Sequence, residues 1–475
     1  VKIVAKAFDH KDNILHEKEE IVKHHPIGRT PVMVRSKICL THNKTHQQLL
    51  NIHEDPHDGG GYFIINGTLW IIKCMESVKF NHPRIFMNIG HKNEMMRCEF
   101  LSRPGDRFEN SAQCIIRLLT NGNLTVELVV DKSINKFKGV YIPFYLIFRI
   151  LGIATDKEIF QHITYTDTTT TSKKMLDIIS NSFKSKYGHF DNCLGVHDVG
   201  EVIKLIYNKT KSTNKKQEEE NNIMISTQRA YILDIIDKNF LPHIGFDPVD
   251  RSKKARFLGH LIHETLLLLI CKDQNIIKST DRDAYDTKRV SDAGTSLTKV
   301  FKRNFNSSIV QPIRTKIRSD LKNASFLQVN LRNSIENAIR ETDLTKAMRQ
   351  AIIAGAKTTT IKQQELTYRL TSQQLQEKNQ LNVISHLRGI ETPGASSAKK
   401  DVRSDEMRRV HPTFIGFICP VQSADSGERV GMEKQMALNA TLTGIGSKSI
   451  LLDKLLQDKN HPIIPLDDNI SLEDI

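Results

Sequence analysis

Three groups of residues in this chain of 475 have types and spacing that suggest chemistry. Asp281 and Asp283 place two carboxylates on one side of an extended segment, an arrangement that could hold a divalent metal for phosphoryl transfer. Arg282 between them and Lys288 and Arg289 just beyond neutralise that charge, so a structural ion-pair corner is the better reading. The stretch Gly444, Ile445, Gly446, Ser447, Lys448, Ser449 carries the Lys-Ser pair of a phosphate-binding loop. Ser447 and Leu442 stand where that loop needs glycines, so its backbone would not cradle phosphates. His24, His25, His53 and His57 have no metal-ligand spacing on a helix, and no DxDxD cluster occurs. The residues therefore nominate neither a catalytic group nor a metal site.

Charge and cysteine usage narrow the classes. Lys and Arg total 68 against 54 Asp and Glu, a formal charge of +14. Residues 251–370 hold 23 basic and 11 acidic residues, so most of the excess sits in a quarter of the chain. Focused positive charge suits a polyanion, because phosphate neutralisation releases condensed counterions. The bland alternative is a solvated helix face. The seven cysteines are scattered without a CxxC pair, which argues against a zinc ribbon or a disulfide framework and for a reducing compartment. No apolar run reaches about 18 residues; the strongest, 261–270, is short and broken by His263 and Glu264. With no signal-peptide pattern, a soluble intracellular protein without membrane contact is expected.

The elements that would position such groups follow from periodicity. The run 26–36 (PIGRTPVMVRS) reads as a Pro-bounded strand, with Val32 and Val34 on one face and Met33 and Arg35 on the other. The run 58–67 (DGGGYFIING) reads as a glycine turn and a short strand ending in a type I′ hairpin at Asn66-Gly67. Further strands are expected at 69–74, 112–118 and 124–130, the last two joined at Asn121-Gly122-Asn123. Helices are expected at 173–183, 199–207, 254–270 and 296–322, with a polar, mobile loop at 209–222. In the last helix Phe301, Phe305, Ile309, Ile313, Ile317 and Leu321 form a buried stripe, leaving Lys302, Arg303, Arg314, Lys316 and Arg318 on another face. Pro312 should kink or split it.

These strings resemble one family, the second-largest, β-type subunit of multisubunit DNA-dependent RNA polymerases, with its "IGR-PVMVRS" followed by "GGYFIING". Further matches come in family order. They are IPFYLIFRILG at 142–152, LPHI at 241–244 before KARFLG at 254–259, and DRDAY at 281–285. TSQQL at 371–375, SHLR at 385–388, Thr392-Pro393, and HPT at 411–413 before ICP at 418–420 complete the series. One segment departs. Beyond Pro420 the family generally has "ETPEG", whereas residues 421–432 read VQSADSGERVGM, with Gln422 in the glutamate position. Asp283-Ala284-Tyr285 likewise replaces the family's "DHY". This divergence is more similar to polymerases of large nucleocytoplasmic DNA viruses than to cellular ones.

The resemblance implies a mixed α+β, multidomain chain. A protrusion would comprise 1–85 and 271–335, with a lobe inserted at 86–270; a largely helical and loop fork would follow at 336–435, then the start of an external region at 436–475. Gly60 and Asp283 would share a domain. Because the chain begins at Val1 and residues 466–471 read as mid-domain sequence, an N-terminal-half fragment is expected. The implied function is one wall of the DNA/RNA cleft in a nucleotidyltransferase that makes RNA from NTPs, the chain itself being inactive alone. Mg²⁺ would be held mainly by the largest, β′-type subunit. That subunit, smaller polymerase subunits, template DNA, the RNA–DNA hybrid and NTPs would be the partners. The compartment would be nucleus or cytoplasm, or a viral factory or virion. Lys357, Lys362 and Arg369 would lie beside the hybrid, and Gln373 and Arg388 would line the active-centre cavity. Lys399, Lys400 and Arg403, in the small-residue loop 394–403, would attract downstream DNA. The competing reading is a stand-alone or degenerate nucleic-acid-binding module, and the reading frame beyond Ile475 would separate the two.

Overall fold

The computed structural model describes residues 2–8, 14–21, 26–87, 93–104, 111–129, 139–165, 170–184, 225–271, 279–323, 330–339, 341–354, 371–392, 406–423 and 430–442. The chain divides into two compact units, one made of Val1–Ser77 with Lys288–Leu442, the other of Val78–Thr287. The helix expected at 199–207 and the loop at 209–222 lie outside the described residues.

The first unit opens with an antiparallel hairpin of β1 (Lys2–Phe8) and β2 (Ile14–Ile21). Residues 26–36 do not form the expected strand. Val34 exchanges single backbone bonds with Tyr62 and Gly61, but Arg35 turns left-handed (φ 66°) and Ser36 N–H closes a turn onto Met33. Arg35 then donates to the carbonyls of Asp55 and Pro56. Gly60 (φ 67°) is required here, since a Cβ would lie 2.6 Å from both Arg35 Cγ and Val34 O. Past a short capped helix, α1 (His46–Asn51), the Asn66-Gly67 signal holds: both residues have positive φ, 52° and 77°. They join β3 (Phe63–Ile65) to β4 (Thr68–Ile72) as a type I′ turn requires. Phe63 and Ile65 point inward and Ile64 outward. The chain continues straight into β5 (Cys74–Val78).

The second unit is a five-stranded antiparallel sheet backed by helices. Its strands are β6 (Pro83–Met87), β7 (Glu94–Ser102), β8 (Ala112–Leu119), β9 (Leu124–Val129) and β10 (Gly139–Pro143), in the order β10-β9-β8-β7-β6. Alternation decides its faces. Met96, Cys98, Phe100, Cys114, Ile116 and Val126 enter one core with the helices, while Arg84, Arg97, Glu99 and Arg117 share the other face in a web of ion pairs. The helices are α2 (Phe144–Ile150), α3 (Asp156–Thr164), α4 (Thr170–Lys184), α5 (Ile225–Asn239) and α6 (Arg251–Ile270). Thr280 then bonds Ile85 in both directions and Arg282 reaches Glu99. These contacts hold Asp283 in the second compact unit, while Gly60 lies in the first.

The chain re-enters the first unit at β11 (Lys288–Ser291). Asp292 caps α7 (Ala293–Phe305) by accepting from Thr295 N–H at 2.9 Å. A π-helical turn, Asn306–Val310, leads into α8 (Gln311–Asn323). Pro312 thus neither breaks nor ends the helix. Its ring would press on the carbonyl four residues back, and the wider turn, with Gln311 N–H bonded to Asn306 O, gives it room. Ile309 and Ile313 are buried with Phe63, Trp70 and Ile335, and Phe301, Phe305 and Ile317 pack against them, as the stripe predicts. The Leu321 side chain lies outside the described residues. After α9 (Leu331–Ala338) and α10 (Glu341–Ala354) come β12 (Ser372–Gln374), α11 (Gln380–Leu387), β13 (Gly389–Glu391), β14 (Ile418–Ser423) and β15 (Glu433–Met436). They complete two sheets, ordered β12-β4-β3 and β11-β5-β13-β15-β14. Among the described residues no helix is long and apolar enough to cross a membrane.

Candidate functional site

The densest polar chemistry of the first unit surrounds β13, which runs parallel to β5 and antiparallel to β15. Three residues suffice to insert it, and buried charges hold it. Lys73, 3 % exposed, pairs with Glu433 on β15 and lies 3.8 Å from Glu391 on β13. Glu76 on β5, equally buried, accepts from Lys434 on β15 at 2.9 and 3.1 Å and from the Thr392 hydroxyl at 3.1 Å. Lys288 on β11 stands 3.5 Å from the same carboxylate. Buried charges survive only when paired in this way, since desolvating an isolated one costs several kcal/mol, of order, per ion.

Beside these pairs lies a cavity of about 240 Å³, lined by Lys73, Ser385, His386, Gln422, Glu433 and Gln435 among others. Gln373 bridges β12 and β13: its Oε1 contacts His386 Nε2 at 3.0 Å, and its Nε2 donates to Glu391 at 3.0 Å. Gln376 N–H points at Nδ1, so Nε2 carries the proton. Burial, with Lys73 adding to it and Glu433 opposing, holds the His386 pKa below the usual histidine value. The ring is thus kept neutral, as this relay requires.

Of the residues singled out from sequence, Gln373 and Arg388 belong to this arrangement. Gln373 lies on β12 and spends its amide on His386 and Glu391. Arg388 follows α11, and its Nη2 donates to the carbonyls of Ala437, Leu438 and Ala440 at 2.6, 3.2 and 2.9 Å. It fastens the segment after β15. Lys357, Lys362, Arg369, Lys399, Lys400 and Arg403 lie outside the described residues, as do residues 444–449. Asp281 uses Oδ1 to accept from Asp283 N–H at 2.9 Å, while Arg282 pairs with Glu99 and stacks 4.2 Å from the Phe86 ring centre. Gln422, at the departure from the family pattern, donates to the Ser385 hydroxyl at 3.2 Å.

Sequence reasoning missed Lys73, Glu76, Glu433 and Lys434. The available signal was a single lysine inside the apolar run Trp70-Ile71-Ile72-Lys73-Cys74, a charge that burial obliges to find a partner. Three large apolar side chains of the same unit are also exposed. Leu381 (78 %), Val421 (87 %) and Leu438 (91 %) stand out from α11, β14 and the segment that Arg388 fastens. Ser385–Gln422 and Ala437–Phe417 bonds link these segments.

Comparison with known proteins gives two family matches. A family model described as RNA polymerase beta subunit matches residues 1–349, and one described as RNA polymerase Rpb2, domain 3, matches residues 373–442. Similar proteins include the DNA-directed RNA polymerase II subunit RPB2 of Encephalitozoon cuniculi, 26% identical, covering 91% of this chain and 34% of the relative. The protein of that name from Eremothecium gossypii is 28% identical over 92% of this chain and 33% of its own length. The DNA-directed RNA polymerase subunit Rpo2N of Methanothermobacter thermautotrophicus is 26% identical over 88% and 74%. The chain spans about a third of the length of the first two.

Proposed function

The chain belongs to the RNA polymerase beta-subunit family, and from that premise we propose that it builds one wall of the DNA/RNA cleft of a DNA-directed RNA polymerase. The observation that carries this reading is the family match across residues 1–349. In this reading the unit Val78–Thr287 is the lobe, and the other unit carries the protrusion and the fork. The partners are the largest, β′-type subunit and smaller polymerase subunits, with template DNA, the hybrid and NTPs in the cleft. The nucleus, the cytoplasm or, for a viral enzyme, the viral factory or virion is the compartment that follows.

The described residues of this chain do not form a magnesium cage. Asp281 and Asp283 form a local turn, and no group of three potential ligands occurs among the described residues. In this reading the metal belongs to the largest subunit. What this chain supplies is position and positive charge. Lys357, Lys362 and Arg369 approach the hybrid, and Lys399, Lys400 and Arg403 approach downstream DNA. Gln373 and Arg388 stand in the wall near the reacting nucleotides, tied to their own chain.

Replacing Lys399, Lys400 and Arg403 together by alanine tests this. In the assembled enzyme the slope of log affinity for DNA against log salt should fall by up to about three units. The melting temperature should stay unchanged. An unaltered slope would show that the loop meets no phosphate.

A further inference from the structure

A second concavity, unrelated to the β13 cluster, lies in the first unit between the π turn, α8, the end of α9 and α10. It measures about 840 Å³, within the range of ligand clefts of about 300–1,000 Å³. Its walls have a particular chemistry. Gln311, Asn337 and Gln350 contribute side-chain amides, and Ser308, Thr315 and Ser319 contribute hydroxyls. Each of these groups both donates and accepts hydrogen bonds. Ala338 and Ala347 are small enough to let another backbone approach.

Charge gives the cleft a sign. Lys316 and Lys346 line it. Asp320, the described carboxylate on α8, is already engaged by the Ser334 hydroxyl and by Lys316. Those bonds hold its pKa below the usual aspartate value, so it stays ionised and partnered. With Lys316 and Asp320 offsetting each other, Lys346 leaves the lining with a net positive charge.

We propose that this cleft binds an extended acidic segment of a partner protein. A phosphodiester backbone offers acceptors alone and calls for a cation-lined track. A peptide backbone offers N–H and C=O in alternation, the complement of walls built from amides and hydroxyls. An acidic side chain then answers Lys346, since Lys316 is paired with Asp320. The π turn before Pro312 contributes Ser307 and Ser308 to the cleft wall.

The test uses the full chain and fluorescence anisotropy with a labelled nine-residue peptide of alternating Glu and Ser. Controls are the matching Gln-Ser peptide and a single-stranded DNA of nine nucleotides. Thr315→Trp fills the cleft from an exposed position, and Lys346→Glu reverses its charge, both with little expected effect on folding. The acidic peptide should bind at least about tenfold more tightly than the Gln-Ser peptide and lose about tenfold in either variant. DNA affinity should stay within about twofold in Thr315→Trp. No acidic-peptide binding at millimolar concentration, or binding indifferent to Thr315→Trp, overturns the proposal. Loss of DNA rather than peptide affinity in that variant assigns the cleft to nucleic acid and overturns it as well.

Discussion

Lys73 shows how a single residue fixes the candidate site. Its ammonium faces Glu433 and Glu391, so its removal leaves two carboxylates facing each other across β13 and β15. Lys73→Met should destabilise the chain by about 3–5 kcal/mol, whereas Lys73→Met with Glu433→Met should recover most of that loss. Chemical denaturation of the two variants measures the coupling; a double variant that loses as much as the single one would remove the pair from the account. In the second unit His243 contacts the Ser102 hydroxyl at 2.9 Å, and burial, with nearby Lys254, pushes its pKa down to about 4. The unfolded chain takes up this proton first, near 6.5, so its contribution is complete above 6.5 and declines as pH falls from 6.5 towards 4. Thermal melts at pH 7 and pH 5 should differ less in His243→Gln than in the natural chain. Little of this was legible in the sequence. A buried lysine demands a partner, but composition cannot say that the partner lies 360 positions away.

At the scale of elements, local signals were legible and long-range ones were not. Asn66-Gly67, Asn121-Gly122-Asn123 and the stripe from Phe301 to Ile317 act through neighbours in the chain, and each stands where its residues put it. Residues 26–36 read as a strand because Val32 and Val34 alternate, yet the left-handed turn at Arg35 ends the pairing with Tyr62 after one exchange. β13 escaped notice for a different reason: three residues carry no periodicity, and tertiary pairing alone makes them a strand. Gly60→Ala tests the turn. A Cβ meets Val34 O at 2.6 Å in a left-handed conformation, so the substitution should cost on the order of 1–3 kcal/mol. Gly67→Ala, with open space around its Cβ, should cost less in the same denaturation series.

On the scale of the whole molecule, the second unit is an insertion whose two ends lie side by side. β5 leaves the first unit and β11 returns beside it in one sheet, and Ser77 bonds both Arg289 and Ser291. The resemblance implies a return at 271, and the contacts of 279–287 with Ile85 and Glu99, which leave no trace in local composition, keep those residues in the second compact unit. In the proposed function this chain is a wall of a polymerase cleft and leaves catalysis to its partner subunits. Template-dependent incorporation of labelled NTPs in the presence of Mg²⁺, measured for the isolated chain and for the complex purified through a tag on it, tests that most directly. The account predicts RNA synthesis by the complex and none by the chain alone; synthesis by the isolated chain, or a complex that makes no RNA, would contradict it.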